Sequence, residues 1–222
     1  MSTYETTYDG RAVADEAIER NARELLGQVM GYVAVSVGFA ALGAYLGRDL
    51  GGGTGLLLFI PAFAAIIGLH FAASRGREQL AIGLLFGMGL LLGLAVAPVI
   101  ADYAGADPSA LWQAAGATAA FVAALGAYGY ATRRDLSSWG RTLFWALLGL
   151  IVFGIVGIFV SIPAGTVIYA VAGLGIFGAF TIYDFNRLRQ GADSAVVIAA
   201  SIFLDIFNVF VLLLDLFGGQ RK

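Results

Sequence analysis

Residues 181–217 read TIYDFNRLRQGADSAVVIAASIFLDIFNVFVLLLDLF. Two apolar segments are joined by a short polar turn between Arg187 and Asp193. Asp184 stands at the end of the first segment and Asp205 deep inside the second. A helix needs about 20 mostly apolar residues to cross the hydrocarbon core of a bilayer, and the second segment reaches that length. A carboxylate in the middle of such a span costs roughly 2.5 to 3.5 kcal/mol on insertion scales when it faces lipid. Something must compensate Asp205, and ionisable groups inside membrane spans mark function by default.

The composition places the whole chain in a bilayer. It has 222 residues, 59% of them hydrophobic and 13% charged, against about 25% charged in a soluble domain. Mean hydropathy is +0.85. The 31 glycines lie inside apolar runs beside only four prolines, as in membrane helices whose backbones approach closely. This is the composition of an all-α integral membrane protein whose partner is the lipid bilayer. A net charge of −2 leaves no nucleic-acid footprint. The absence of Cys removes disulfides, thiolate metal sites and thiol nucleophiles, and a single histidine, His70, excludes a multi-histidine metal cage.

Seven apolar stretches follow one another at about 26–46, 54–73, 80–100, 110–131, 142–160, 166–183 and 194–217. They predict a seven-helix membrane domain over 25–218, with a polar tail at 1–24 and another at 219–222. The first tail lacks a basic stretch followed by a short apolar core, so it reads as a cytoplasmic segment and not a cleavable signal. Val13, Ile18 and Leu25 predict a short amphipathic helix there. The fifth span is expected to close at Ser161-Ile162-Pro163. Placing the N-terminus inside puts ten of the thirteen basic residues on the inner side, leaving Arg48, Arg221 and Lys222 outside. The positive-inside rule thus predicts a cytoplasmic N-terminus and an outer C-terminus, and twelve Arg against one Lys point to a prokaryote, hence to a plasma-membrane location.

Several motifs have bland readings. Gly51-Gly52-Gly53-Thr54-Gly55 lacks the Lys and the preceding strand of a phosphate loop and reads as a turn. Gly83 with Gly87, and Gly89 with Gly93, have the four-residue spacing of close helix contacts. A retinal protein needs a lysine inside its last helix, and the only lysine is Lys222. His70, about one turn inside the second span, reads as a packing residue or a polar lining group able to titrate near neutrality. Asp215 lies about 80° around the helix from Asp205 and reads as a surface charge.

Asp205 is different. Counted from Ser194 it sits about 16 Å deep, near the bilayer centre, and Asn208 three residues on could share a polar lining. If the sixth helix continues to Gln190, Asp184 lies about 9 Å above the same turn, roughly one helical turn from Asp205 in height. Spacing alone leaves their contact open. Two carboxyls sharing a low-dielectric site cannot both ionise easily and titrate as a unit. Arg75 and Arg77 end the second span on the same side and could pair with an ionised Asp184. The same oxygens would attract a hard cation such as Ca²⁺.

The residues Tyr183-Asp184 and Ile202-Phe203-Leu204-Asp205-Ile206-Phe207-Asn208-Val209-Phe210 resemble the closing helices of the Bax inhibitor-1 family, including its short bacterial members. Arg133-Arg134-Asp135-Leu136-Ser137 and Val156-Gly157-Ile158-Phe159 fit the same pattern, and the resemblance runs from about the second span to the end. It implies a seven-helix bundle around a central helix and a pH-sensitive calcium leak. Asp184 and Asp205 match its proton sensor and would hold Ca²⁺ transiently. The latching arginine at the end of the second helix matches Arg77 by spacing, with Arg75 second. Some bacterial members carry a glutamate within the second helix, where this chain has Ile66, Ile67 and Leu69.

The expected function is therefore a pH-gated cation leak, with H⁺ as regulator, Ca²⁺ as permeant ion and no resident cofactor or catalytic residue. The alternative is a non-conducting regulator that binds a membrane protease or a stress-response partner, which the same family includes. Paired intramembrane aspartates also resemble presenilin-type proteases. Those need Gly-x-Gly-Asp at the second aspartate, where this chain has Ile202-Phe203-Leu204.

Overall fold

A computed structural model describes residues 3–160, 165–191 and 193–219, with the backbone alone described at 3–19, Gly52, Leu56, Ile158 and Gly219. The expected turn at Ser161-Ile162-Pro163 and the tail at 220–222 lie outside the described residues. Seven helices follow in order: α1 (Thr3–Leu46), α2 (Gly52–Ser74), α3 (Glu78–Ala106), α4 (Pro108–Ala131), α5 (Trp139–Phe159), α6 (Gly165–Gln190) and α7 (Ala195–Gly219). Each contains a segment long and apolar enough to cross a membrane. In hydrocarbon every backbone N–H and C=O must be satisfied within its own segment, which is why apolar runs of this length settle as helices.

Two boundaries differ from the sequence reading. The polar tail and the first span form one continuous helix, α1, which runs without a proline through the start signal at Asn21-Ala22-Arg23-Glu24. The glycine run at 51–55 is only partly a turn: Gly51 caps α2, and the helix begins at Gly52. An added Cβ at Gly55 would stand 2.6 Å from the Ala95 carbonyl oxygen of α3, so the run lets α2 start directly against its neighbour. The α2–α3 and α6–α7 connections each turn on a glycine with positive φ, Gly76 at 69° and Gly191 at 62°. Only glycine takes that conformation without steric cost.

The bundle is organised around α7, which packs against α6, α4, α1, α3 and α2. A helix that is apolar all round belongs in the interior, and α7 contributes Val196, Ile198, Ile202, Phe203 and Val209, all fully or nearly fully buried. Near the α6–α7 turn it meets Val29, Leu69, Leu85 and Leu188. Towards its other end it meets Ala114, Leu150, Ala170 and Phe177. α5 lies at the periphery: its backbone neighbours α6 alone, and its Leu150 joins the cluster around α7.

The expected glycine contacts divide. An added Cβ at Gly89 would stand 2.7 Å from the Ser36 carbonyl oxygen, and one at Gly93 would collide with the Ala40 carbonyl of α1. Those two glycines form the α1–α3 crossing. Gly83 and Gly87 face open space, with nothing within 4 Å of an added Cβ.

Candidate functional site

α6 places Asp184 six residues before its last residue, Gln190, and α7 places Asp205 ten residues after its first, Ala195. Both are buried, with Asp184 2% and Asp205 4% exposed. They lie within electrostatic reach of one another across the α6–α7 interface. Spacing left their contact open; α6 stays helical through Gln190 and its turn returns α7 alongside, which places the two carboxyls within electrostatic reach.

The surroundings of the two carboxyls differ. Asp184 Oδ1 accepts a hydrogen bond from Arg187 Nη1 at 2.9 Å, a charge pair one turn along the same helix. Arg187 Nε also donates to Asp193 Oδ2 at 3.1 Å, and Nη2 contacts the same oxygen. One guanidinium therefore bridges a buried carboxylate and a half-exposed one in the α6–α7 turn. Asp205 has no cation of its own. Its Oδ2 is buried without a hydrogen-bond partner, and the Thr181 hydroxyl of α6 is its polar neighbour. That hydroxyl donates to the Phe177 carbonyl at 2.8 Å. A hydroxyl carries a single proton, so Thr181 cannot donate to both acceptors at once.

The remaining sequence candidates are placed as follows. Arg75 and Arg77 are exposed in the α2–α3 connection, and the Arg75 guanidinium lies 3.5 Å from the centre of the Phe71 ring. The arginine on Asp184 is Arg187, from its own helix. Asn208 is half-buried and donates to the Leu204 carbonyl of its own helix at 2.7 Å. His70 is exposed, with Nδ1 2.9 Å from the Ile66 carbonyl. Of the apolar residues Ile66, Ile67 and Leu69 of α2, Leu69 is buried and Ile67 faces outward. Asp215, expected on the surface, is half-buried beside Tyr103 of α3.

Asn186, Arg187 and Asp193 carry polar contacts that the apolar pattern does not single out. Asn186, 1% exposed, donates to the carbonyls of Thr132 and Arg134 at 3.3 and 3.2 Å, and accepts from Gln190 at 2.7 Å. It ties α6 to the α4–α5 connection one turn beyond Tyr183. The available signal for Arg187 was its i,i+3 spacing from Asp184 on a helix.

The arrangement can hold a proton or a cation in transit. Among the described residues no three His, Asp or Glu side chains gather in a metal cage. A Ca²⁺ ion takes six to eight oxygens, so two carboxylates would need carbonyl and water oxygens to complete its shell. That donor set suits passage better than residence.

Residues 22–222 match the family described as "Inhibitor of apoptosis-promoting Bax1". The chain belongs to the Bax inhibitor-1 family. The match reaches further towards the N-terminus than the motif resemblance, which began at the second span. Among members of the family, an uncharacterized protein of Helicobacter pylori is 28% identical over 231 residues, covering 98% of this chain and 97% of that one. The Golgi anti-apoptotic protein of vaccinia virus is 34% identical over 170 residues, covering 75% of this chain and 70% of its own. The inner membrane protein YbhL of Escherichia coli is 27% identical over 178 residues, covering 74% of each. The protein is thus a multi-pass membrane member of the Bax inhibitor-1 family with the seven-helix bundle that the resemblance implied.

Proposed function

We propose that the protein is a proton-gated cation leak, with Ca²⁺ as its permeant ion, in a prokaryotic plasma membrane. The observation that carries this reading is the pair of buried carboxyls on α6 and α7, one held by a guanidinium and the other with an unpartnered oxygen. Two charged carboxylates in a low-dielectric site repel each other, and one added proton relieves that repulsion. In the closed bundle Asp184 keeps its charge against Arg187, and Asp205 holds the proton. Protonating Asp184 frees Arg187, which stands on the same helix, and so loosens the bridge that runs from α6 through Arg187 to Asp193 in the turn before α7. Leak then rises as pH falls. Membership of the family supports the reading, because the aspartates match its two sensor positions.

The test is Ca²⁺ entry into liposomes carrying the purified protein, followed across the acid-to-neutral range. Wild type should show a leak that rises as pH falls, and Asp205→Asn should flatten or displace that response. A leak that is equal in both proteins and insensitive to pH would sink the reading. Co-purification of a membrane protease or another membrane protein, with no leak, would favour the regulator instead.

A further inference from the structure

The bridge Asp184–Arg187–Asp193 assigns a role to a residue outside the buried pair. The guanidinium is a planar fork with five N–H donors. Its Nε/Nη2 edge faces Asp193, which leaves Nη1 directed at Asp184. Gly191, with φ 62°, reverses the chain just after α6 and brings residue 193 back over Arg187. The Arg187 side chain is 21% exposed and Asp193 39%, against 3% for Asp184. The bridge thus runs from the interior to the end of the bundle.

We propose that Asp193 is a positioning residue that orients Arg187, and that Arg187 so oriented is the latch on Asp184. This rests on the proton-gated reading of the buried pair. Without Asp193, a flexible arginine near a helix end would turn its charge towards water, as long cationic side chains do at membrane interfaces. With Asp193, the guanidinium is held on both sides, and α6 is tied to the turn that begins α7. The turn carboxylate therefore sets how firmly the gate is closed.

Among the described residues, Arg189 is a second cation in the last turn of α6, half-buried and with its Nε unpartnered. Asp184 meets Arg187 from its own helix, Asp193 from the turn and Asp205 from α7. The Tyr183 ring lies 5.4 Å from the Arg187 guanidinium carbon. From the α4–α5 connection and α5, Arg133, Arg134, Asp135 and Arg141 are exposed, as are Arg20, Arg23 and Glu24 of α1. Asp193 is thus the group placed to orient Arg187 from outside the buried pair.

The experiment compares the pH midpoint of Ca²⁺ leak in liposomes with amide hydrogen exchange across the α6–α7 turn of the same proteins. Arg187→Gln should move the midpoint upward by about one pH unit or more, the usual effect of losing an opposite charge at contact distance. Asp193→Asn removes a negative charge whose direct loss would by itself move the midpoint down. An upward move smaller than that of Arg187→Gln, restored by Asp193→Glu, therefore reports the lost orientation of Arg187, and a downward move would overturn the positioning role. Arg187→Lys should fall between wild type and Arg187→Gln, since an ammonium keeps the charge but lacks the planar fork that meets both carboxylates. In an Asp184→Asn background neither Arg187→Gln nor Asp193→Asn should move it further. Exchange at Gly191, whose N–H donates to the Leu188 carbonyl, should quicken in Asp193→Asn. A wild-type midpoint retained in Arg187→Gln, or an Arg77→Gln variant that alone abolishes the response, would overturn the latch. If wild type shows no pH-dependent leak, the leak reading fails by itself. The positioning role is then decided by exchange: unchanged protection at Gly191 in Asp193→Asn would overturn it too.

Discussion

Asp184 and Asp135 are both aspartates with a donor close at hand, yet only one belongs to the proposed switch. Asp135 is exposed in the α4–α5 connection, and its Oδ1 accepts the Ser137 backbone N–H at 2.9 Å. That hydrogen bond favours the ionised form and holds its carboxyl below the ordinary 3.8. A carboxyl lowered in the folded state contributes stability above its unfolded value and loses it as pH falls through the folded one. The turn is therefore intact throughout the acid-to-neutral range and does not report there. Following the Asp135 carboxyl carbon by NMR in detergent micelles should show one titration centred below 3.8, and a midpoint near neutrality would contradict this assignment. Depth along an apolar run made Asp205 legible from sequence, because nothing else explains a carboxylate so far from either end. Asp184 was legible only through the family's motif. Its true counter-ion was not, because an arginine three residues from an aspartate is common on any helix and gains meaning only when both are buried.

At the scale of a helix, the glycines separate two kinds of sequence information. The four-residue spacing of Gly83 with Gly87 equals that of Gly89 with Gly93, so pattern alone treats them alike. Which pair meets a neighbour depends on the rotation of α3, and that is set by packing against α1. Substituting Gly93 by Ala drives a methyl into the Ala40 carbonyl. Overpacking of this kind costs about 1 to 3 kcal/mol, so thermal unfolding in detergent should occur at a clearly lower temperature. Gly87→Ala meets open space and removes the entropic penalty of a helical glycine, worth up to about 1 kcal/mol. Its melting temperature should stay or rise. A lowered value for Gly87→Ala would mean that another surface covers that face. The number and rough limits of the spans were readable because apolar length is a one-dimensional property. The joining of the polar tail to α1 was not, since polarity by itself does not stop a helix.

For the whole molecule, the central place of α7 and the peripheral place of α5 define which parts can move together. The backbone of α5 neighbours α6 alone, Leu150 is its side chain in the cluster around α7, and the Asn186 side chain fastens the α4–α5 connection to α6. If the latch releases α6 from α7, α5 must travel with α6 while α3 stays with α7. The chain contains no Cys, so spin labels can be introduced in pairs without first removing native thiols. Gly149 on α5, Gly175 on α6 and Gly83 on α3 each have nothing within 4 Å of an added Cβ, and labels there disturb no packing. Between alkaline and acidic buffer the Gly83–Gly175 distance distribution should shift, and the Gly149–Gly175 distribution should not. The Asp184→Asn variant should give the acidic Gly83–Gly175 distribution at both pH values, because it has already lost the charge that Arg187 holds. A Gly149–Gly175 shift as large as the Gly83–Gly175 one would show that α5 moves independently. Proton uptake would then be transmitted through the α4–α5 connection and not through α6.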